Sequence, residues 1–276
     1  MTKILERPLL LVGCGKMGAV LLDGWLESGI LGAGVSIIEP MLSKSQNPFG
    51  EWTQVNGFNL PTDLPDSFRP EVIVFAVKPQ ILPEILPYYS RFVTKDTLFL
   101  SIAAGTPLGV LERGLGAKPA VVRAMPNMPA ALRLGISVAC SNANVANDHV
   151  AICRTLLETV GELHLVDNED LLDAVTAISG SGPAYIFHMI ECLVQAGKEI
   201  GLPTELAERL AIVTVSGSGQ LALKSDDSPA KLRNDVTSPG GTTEAAIAVL
   251  MENDSLKKLV IRAVKAAANR GRKLAM

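Results

Sequence analysis

Short apolar runs alternate along the chain with longer stretches whose apolar residues recur every three or four positions. That alternation predicts a largely parallel sheet flanked by helices over the first half. Leu9-Leu10-Leu11-Val12 suits a strand buried on both faces, Val20, Leu21, Gly24 and Trp25 fall at helical spacing within 17–27, and 35–39 reads as a second strand ending in Glu39. Across 40–70, Gln46-Asn47-Pro48-Phe49-Gly50 and Pro61, Pro65 and Pro70 predict loop, with at most a short helix and a short strand. Strands follow at 72–77, 98–105 and 120–123. Residues 124–129 read as an extended loop, because Pro126 and Pro129 turn their predecessors away from helix. Strands at 135–140 and 163–166 bracket an amphipathic helix at 150–160, and this half closes near residue 166.

From Asp167 onward the pattern is helical. Leu171, Leu172, Val175 and Ile178, then Ile186, Met189, Ile190, Leu193 and Val194, share helical spacing on either side of a break at Ser179-Gly180-Ser181-Gly182-Pro183, where Pro183 should kink or restart the helix. Further helices are predicted over 203–224 and 255–273. The run 174–190 carries few charges, and a helix apolar all round must be covered. A helical region of about 110 residues hardly covers it alone, which predicts an intertwined homodimer through these helices. The expected architecture is therefore α/β: a Rossmann-type doubly wound sheet over 1–166, then an all-helical substrate-binding and dimerisation domain over 167–276.

Composition narrows the function. With 276 residues, 48% of them hydrophobic, and a mean hydropathy of +0.30, disorder is excluded and two cores are possible. No apolar run approaches the ~20 residues that span a bilayer, and the run that stops at Gly13 is too short for a signal-peptide core, so a cytoplasmic protein without a membrane partner is expected. A net charge of −3 and 4% aromatics offer nucleic acid neither an electrostatic footprint nor a stacking platform. Cys14, Cys140, Cys153 and Cys192 form no C-x-x-C pair and stand at no metal-ligand spacing with His149, His164 and His188. They read as reduced, mostly packed thiols, and no metal is expected.

Two stretches carry chemistry. Gly13-Cys14-Gly15-Lys16-Met17-Gly18 is G-x-G-x-x-G between a strand and a helix, with an acid, Glu39, 21 residues beyond Gly18 at the end of the next strand. That is the dinucleotide-binding fingerprint: the pyrophosphate meets the helix N-terminus and the acid meets the ribose. Glu39 favours NADH over NADPH, since it repels a 2′-phosphate unless Lys44 or another cation neutralises it; the alternative is a solvated strand end. In such a sheet the ligand lies beyond the strand ends, which brings Ala76, Val77, Lys78 and Pro79, and Ala103, Ala104 and Gly105, beside the cofactor. Asn127 offers an amide to a carboxamide or carboxylate, or else bonds its own backbone. The second stretch, Thr237-Ser238-Pro239-Gly240-Gly241-Thr242-Thr243, joins a glycine turn to a helix that Glu244 begins, with Thr242 or Thr243 as its cap. Its free amides and four hydroxyls, without a cation, suit a small carboxylate better than a phosphate chain.

These motifs together with Met125-Pro126-Asn127 and Ser179-Gly180-Ser181-Gly182-Pro183-Ala184-Tyr185 recur in this order in the pyrroline-5-carboxylate reductases, which the chain resembles over nearly its whole length. The resemblance implies a Rossmann domain and a helical dimerisation domain, NADPH or NADH, reduction of 1-pyrroline-5-carboxylate to L-proline, and dimers that assemble further into rings. It places the substrate carboxylate on the Gly241 and Thr242 amides with Ser238, and the ring nitrogen on the Thr243 hydroxyl. The competing readings are another imine or β-hydroxyacid-type reductase, for which Lys198 is the one lysine in 167–200, and a dinucleotide-binding protein without turnover.

Overall fold

The computed structural model describes residues 4–40 and 54–274, so Lys44 and the 46–50 cluster lie outside the described residues. Strand β1 (Leu9–Val12) leads through the glycine loop into α1 (Lys16–Ser28) and β2 (Val35–Ile38). Strand β1 pairs in parallel with β2 on one side and with β4 (Val72–Phe75) on the other. A short β3 (Val55–Phe58) adds the outer edge, and a 3-10 turn, Pro61–Asp63, follows it, as the loop-rich reading of 40–70 allows. Past β4 come the single-turn α2 (Leu82–Ile85), a 3-10 segment Leu86–Phe92, β5 (Leu98–Ser101), α3 (Leu108–Leu115), β6 (Ala120–Met125), β7 (Gly135–Ser141), α4 (Asn147–Glu158) and β8 (Gly161–Leu165). The order among the described residues is β3-β2-β1-β4-β5-β6-β7-β8, parallel throughout except between β6 and β7.

The continuous apolar runs follow from burial on both faces. Leu9 and Leu11 pack with Leu21, Trp25 and Leu156 under α1 and α4, while Leu10 and Val12 pack on the other face with Phe75, Leu82 and Phe99. Trp25 is anchored as well as buried, its Nε1 donating to the Leu156 carbonyl at 2.9 Å.

Several boundaries differ from the sequence reading: β4 ends at Phe75 and β5 at Ser101 rather than at Val77 and Gly105, and three further differences have a cause in the structure. The strand expected at 120–123 does not stop at Arg123: antiparallel pairing of Ala124 with Ala139 and Met125 with Val138 carries β6 to Met125, and the expected extended loop runs into a 3-10 turn, Met128–Leu132. Helix α4 starts at Asn147 rather than 150, because His149 Nδ1 accepts the Ala146 N–H at 3.2 Å and so serves the helix start. The glycine-serine break is a π turn, Thr176–Gly180, continuous with α5 (Leu171–Val175). The Ser181 N–H reaches back to the Thr176 carbonyl at 2.8 Å, and α6 (Gly182–Glu199) begins immediately, with Pro183 in its first turn, where a missing N–H costs nothing. Arg123 ties this region to the sheet: its buried guanidinium meets Glu169 at 2.8 Å and Asp173 at 3.5 Å.

The chain divides into two compact units, one running to Ser181 and taking in the end of the chain from Ala267, the other Gly182–Ala266. In the second, α6 and α7 (Thr204–Lys224) form a hairpin around Gly201, whose φ of +98° makes the turn. After α8 (Pro229–Asp235) come α9 (Thr242–Met251) and α10 (Ser255–Leu274). Ile186, Phe187, Leu210 and Val213 are exposed in the single chain. Among the described residues no helix is long and apolar enough to cross a membrane.

Candidate active site

In the first unit, the end of β1 turns at Gly13, whose φ of +87° and close approach to the next strand both require glycine. A Cβ there would lie 2.7 Å from Val77 Cγ1 and 3.0 Å from the Ala76 carbonyl oxygen. At Gly18 a Cβ would come within 2.6 Å of the Gly13 carbonyl oxygen, so this glycine packs the helix against its own loop. Gly15, the N-cap of α1, has open space where its Cβ would be, and no side chain caps the helix. The amides at the start of α1, around Lys16 and Met17, therefore face a backbone cradle that an anion can approach.

Glu39 closes this cradle from the side. Its Oε2 accepts the Cys14 N–H at 2.9 Å, which fixes the carboxylate against the glycine loop and leaves it lining the adjoining cavity. Burial, and then the Glu39 charge, push the Cys14 thiol up to about 11, so it stays a neutral thiol. The cavity, about 630 Å³, opens at the carboxyl ends of β1, β2 and β4, where the sheet's connections diverge. Gly13, Gly15, Glu39, Ala76, Val77 and Lys78 line it. Its size, its apolar walls and the amides at the start of α1 fit a dinucleotide's adenosine and pyrophosphate.

Other residues singled out from sequence stand apart from that cavity. Lys16, Met17 and Gly18 form the first turn of α1, with Met17 packed on the core, and Pro79 begins the turn in which the Ile81 N–H bonds the Lys78 carbonyl at 3.0 Å. Ala103, Ala104 and Gly105 follow β5, with Gly105 at φ +73°. Asn127, buried after β6, uses its Oδ1 to accept the Ile136 N–H at 2.9 Å, which commits the oxygen to the fold and leaves the amide N–H2 group as its donor. The four cysteines are free thiols, with Cys140 and Cys153 buried and Cys192 exposed.

In the second unit, the glycine turn before α9 is exposed at Ser238, Gly240 and Thr242 and half-buried at Gly241 and Thr243. Helix α9 starts at Thr242, two residues before the expected Glu244. Gly241 is its N-cap, with no side-chain cap bond, so neither threonine plays the capping role expected of it. Glu244 takes that role by reaching back to the Gly240 N–H at 2.7 Å, and this frees both threonine hydroxyls. The Gly241 N–H donates to the Ser238 carbonyl at 3.0 Å, while the amides of Thr242, Thr243 and Glu244 have no carbonyl four residues back within the helix. Thr237 caps the preceding helix, its Oγ1 donating to the Arg233 carbonyl at 2.6 Å. Lys198, the lysine a β-hydroxyacid-type reductase would need, is exposed in the last turn of α6.

Sequence reasoning missed the outer wall of the cavity: Asn59, Leu60, Pro61 and Thr62 beyond β3, and Ile81, Ile85, Tyr88 and Tyr89 beyond β4. One signal was available, since two of the chain's three tyrosines stand side by side just past a predicted strand.

A protein described as pyrroline-5-carboxylate reductase from Pseudomonas aeruginosa is 38% identical to this chain over 264 residues, covering 96% of the chain and 95% of the relative. The chain belongs to the pyrroline-5-carboxylate reductase family. Residues 169–274 match the profile of the pyrroline-5-carboxylate reductase dimerisation domain. Two solved reductases extend the likeness to three dimensions. The one from Coxiella burnetii superposes with a TM-score of 0.87 at 33% identity, covering 97% of this chain and 98% of its own. The one from Plasmodium falciparum, solved with NADP bound, gives 0.85 at 30% identity over 99% and 100%.

Proposed function

We propose that this chain reduces the C=N bond of 1-pyrroline-5-carboxylate with NAD(P)H, giving L-proline and the oxidised coenzyme, the last step of proline biosynthesis. Family membership carries the reading, and the cavity beside the glycine loop supports it, since its open amide cradle and apolar walls suit a dinucleotide. When bound, the reduced nicotinamide supplies a hydride to the imine carbon. The amides at Gly15, Lys16, Met17 and Gly18 hold the pyrophosphate, Glu39 accepts from the adenosine ribose, and Val77, Lys78, Pro79, Ala103, Ala104, Gly105 and Asn127 position the rest. The amides of the Gly240-Gly241-Thr242 turn, with the Ser238 hydroxyl, hold the substrate carboxylate, the Gly240 and Gly241 N–H groups exchanging their bonds to Glu244 and to the Ser238 carbonyl for it. The Thr243 hydroxyl, left unused by the helix cap, bonds the ring nitrogen and aims it.

A protonated imine needs no strong general acid, so the residues act mainly by placement, which can supply roughly 7–11 kcal/mol. Glu39 makes NADH the preferred coenzyme, because its carboxylate is held by the Cys14 N–H where a 2′-phosphate would have to sit beside it. The exposed apolar residues of α6 and α7 bury one another in a homodimer of the C-terminal helices, and dimers assemble further into a ring. The absence of a spanning helix among the described residues supports a cytoplasmic enzyme. The test follows absorbance of NADH or NADPH with added 1-pyrroline-5-carboxylate and identifies the product. Imine-dependent oxidation that yields L-proline is expected, and coenzyme binding without turnover would overturn the reading in favour of a binding protein.

A further inference from the structure

Tyr89 stands out because its hydroxyl does no work among the described residues. It lies in the 3-10 segment after β4, fully buried, with its ring edge-on to Phe75 at 5.2 Å and 79°. Phe75 in turn stacks on Phe99 at 6.4 Å, so the ring belongs to an aromatic cluster that a phenylalanine would complete equally well. The hydroxyl is the difference, and it is buried without a hydrogen-bond partner among the described residues. An orphan of this kind costs the free protein stability, and buried hydroxyls in folded proteins are nearly always paired. Burial also raises the phenol well above its ordinary value, so it stays protonated and keeps both a donor and acceptor sites.

The same side chain lines the cavity beside the glycine loop, among Val12, Ile38, Val77 and Ile85. These apolar walls suit a flat heterocycle. A purine brings ring nitrogens and, in adenine, an amine, groups that a phenol can pair with. We propose that Tyr89 is a specificity-determining residue for the coenzyme, its hydroxyl bonding the polar edge of the purine base when the cavity is filled. The inference rests on the dinucleotide reading above and adds a residue that the glycine-loop motif does not contain. Tyr89 acts on binding of the adenosine half and leaves the hydride-transfer step alone.

Tyr89→Phe removes only the hydroxyl and gives the free and bound states opposite responses. Without ligand, the variant is expected to melt about 2–4 °C higher, as for relief of one unpaired buried group in a chain of this size. Its Kd for NADH and for ADP-ribose, which lacks the nicotinamide, is expected to weaken in parallel by about 3–10-fold, the worth of one neutral hydrogen bond. In turnover the coenzyme KM rises by the same factor, while kcat and the KM for the imine stay as they are. An ADP-ribose Kd changed less than twofold overturns the proposal, and so does a lowered melting temperature without ligand, which would mean the hydroxyl is already satisfied. Wild-type protein that binds neither NADH nor ADP-ribose overturns the dinucleotide reading itself, whereas wild-type turnover with an indifferent variant overturns only the role of Tyr89.

Discussion

Glu39→Gln separates charge from hydrogen bonding at the coenzyme site. The glutamine oxygen can still accept the Cys14 N–H that the carboxylate holds at 2.9 Å, so the glycine loop keeps its shape and only the negative charge goes. A carboxylate and a 2′-phosphate about 6 Å apart, the breadth of a ribose edge, repel by roughly 1.4–2.8 kcal/mol per unit of phosphate charge at an effective dielectric of ~20–40. Removing that repulsion should raise kcat/KM for NADPH by about 10–100-fold. NADH loses one charge-assisted bond to its ribose and should fall by about 10-fold or less. Initial rates with each coenzyme at saturating imine give both numbers. The same variant carries its own control, because the Glu39 charge is the second cause, after burial, of the raised Cys14 thiol. Thiol alkylation followed against pH should show Cys14 titrating below about 11 yet above the ordinary 9.0. An NADH-to-NADPH ratio that moves less than twofold while the thiol does shift would refute the part given to Glu39.

Thr243→Ala should lower kcat/KM by on the order of 10²-fold or less, as for loss of one positioning hydrogen bond, and an unchanged rate would remove Thr243 from the mechanism. Arg123→Met should cost about 2–4 kcal/mol in urea unfolding. The lower end is expected because Glu169, left without its partner, still accepts the Leu108 N–H at 2.8 Å; a loss below about 1 kcal/mol would show that Arg123, through Glu169 and Asp173, does not hold α5 to the sheet. In the alkaline range the sign follows from Cys14 and Cys153, pushed up to about 11 and about 12 from 9.0. The native state keeps protons that the unfolded chain releases, so this stability is present below pH 9 and is lost as pH rises through 11 to 12. Urea midpoints should therefore be less steep above pH 9 in a Cys14→Ala, Cys153→Ala double variant, and an identical slope would contradict the assignment.

The central sheet was legible because its strands are buried on both faces, which writes them as unbroken apolar runs such as 9–12 and 72–75. The glycine loop was legible for a steric reason, since Gly13 and Gly18 stand where a Cβ would collide with backbone. Boundaries set by pairing between distant segments were not. Met125 joins β6 only because Val138 lies opposite it, and no local propensity records that. At the second glycine turn the capping group was misread for a similar reason. Two threonines and a glutamate compete for the same helix start, and the longer side chain of Glu244 wins by reaching back to Gly240. The outer wall of the cavity was invisible because Asn59, Thr62 and Tyr89 come from two separate connections, each ordinary in isolation.

The account depends on the two glycine turns serving one reaction, the first holding the coenzyme and the second its substrate. A crystal structure of the protein with NAD+ and L-proline tests this most directly. The account predicts the proline carboxylate on the amides around Gly241 and Thr242, the ring nitrogen within hydrogen-bonding reach of the Thr243 hydroxyl, and the ring stacked against the nicotinamide. Proline bound elsewhere, with the turn before α9 empty and far from the nicotinamide, would contradict it.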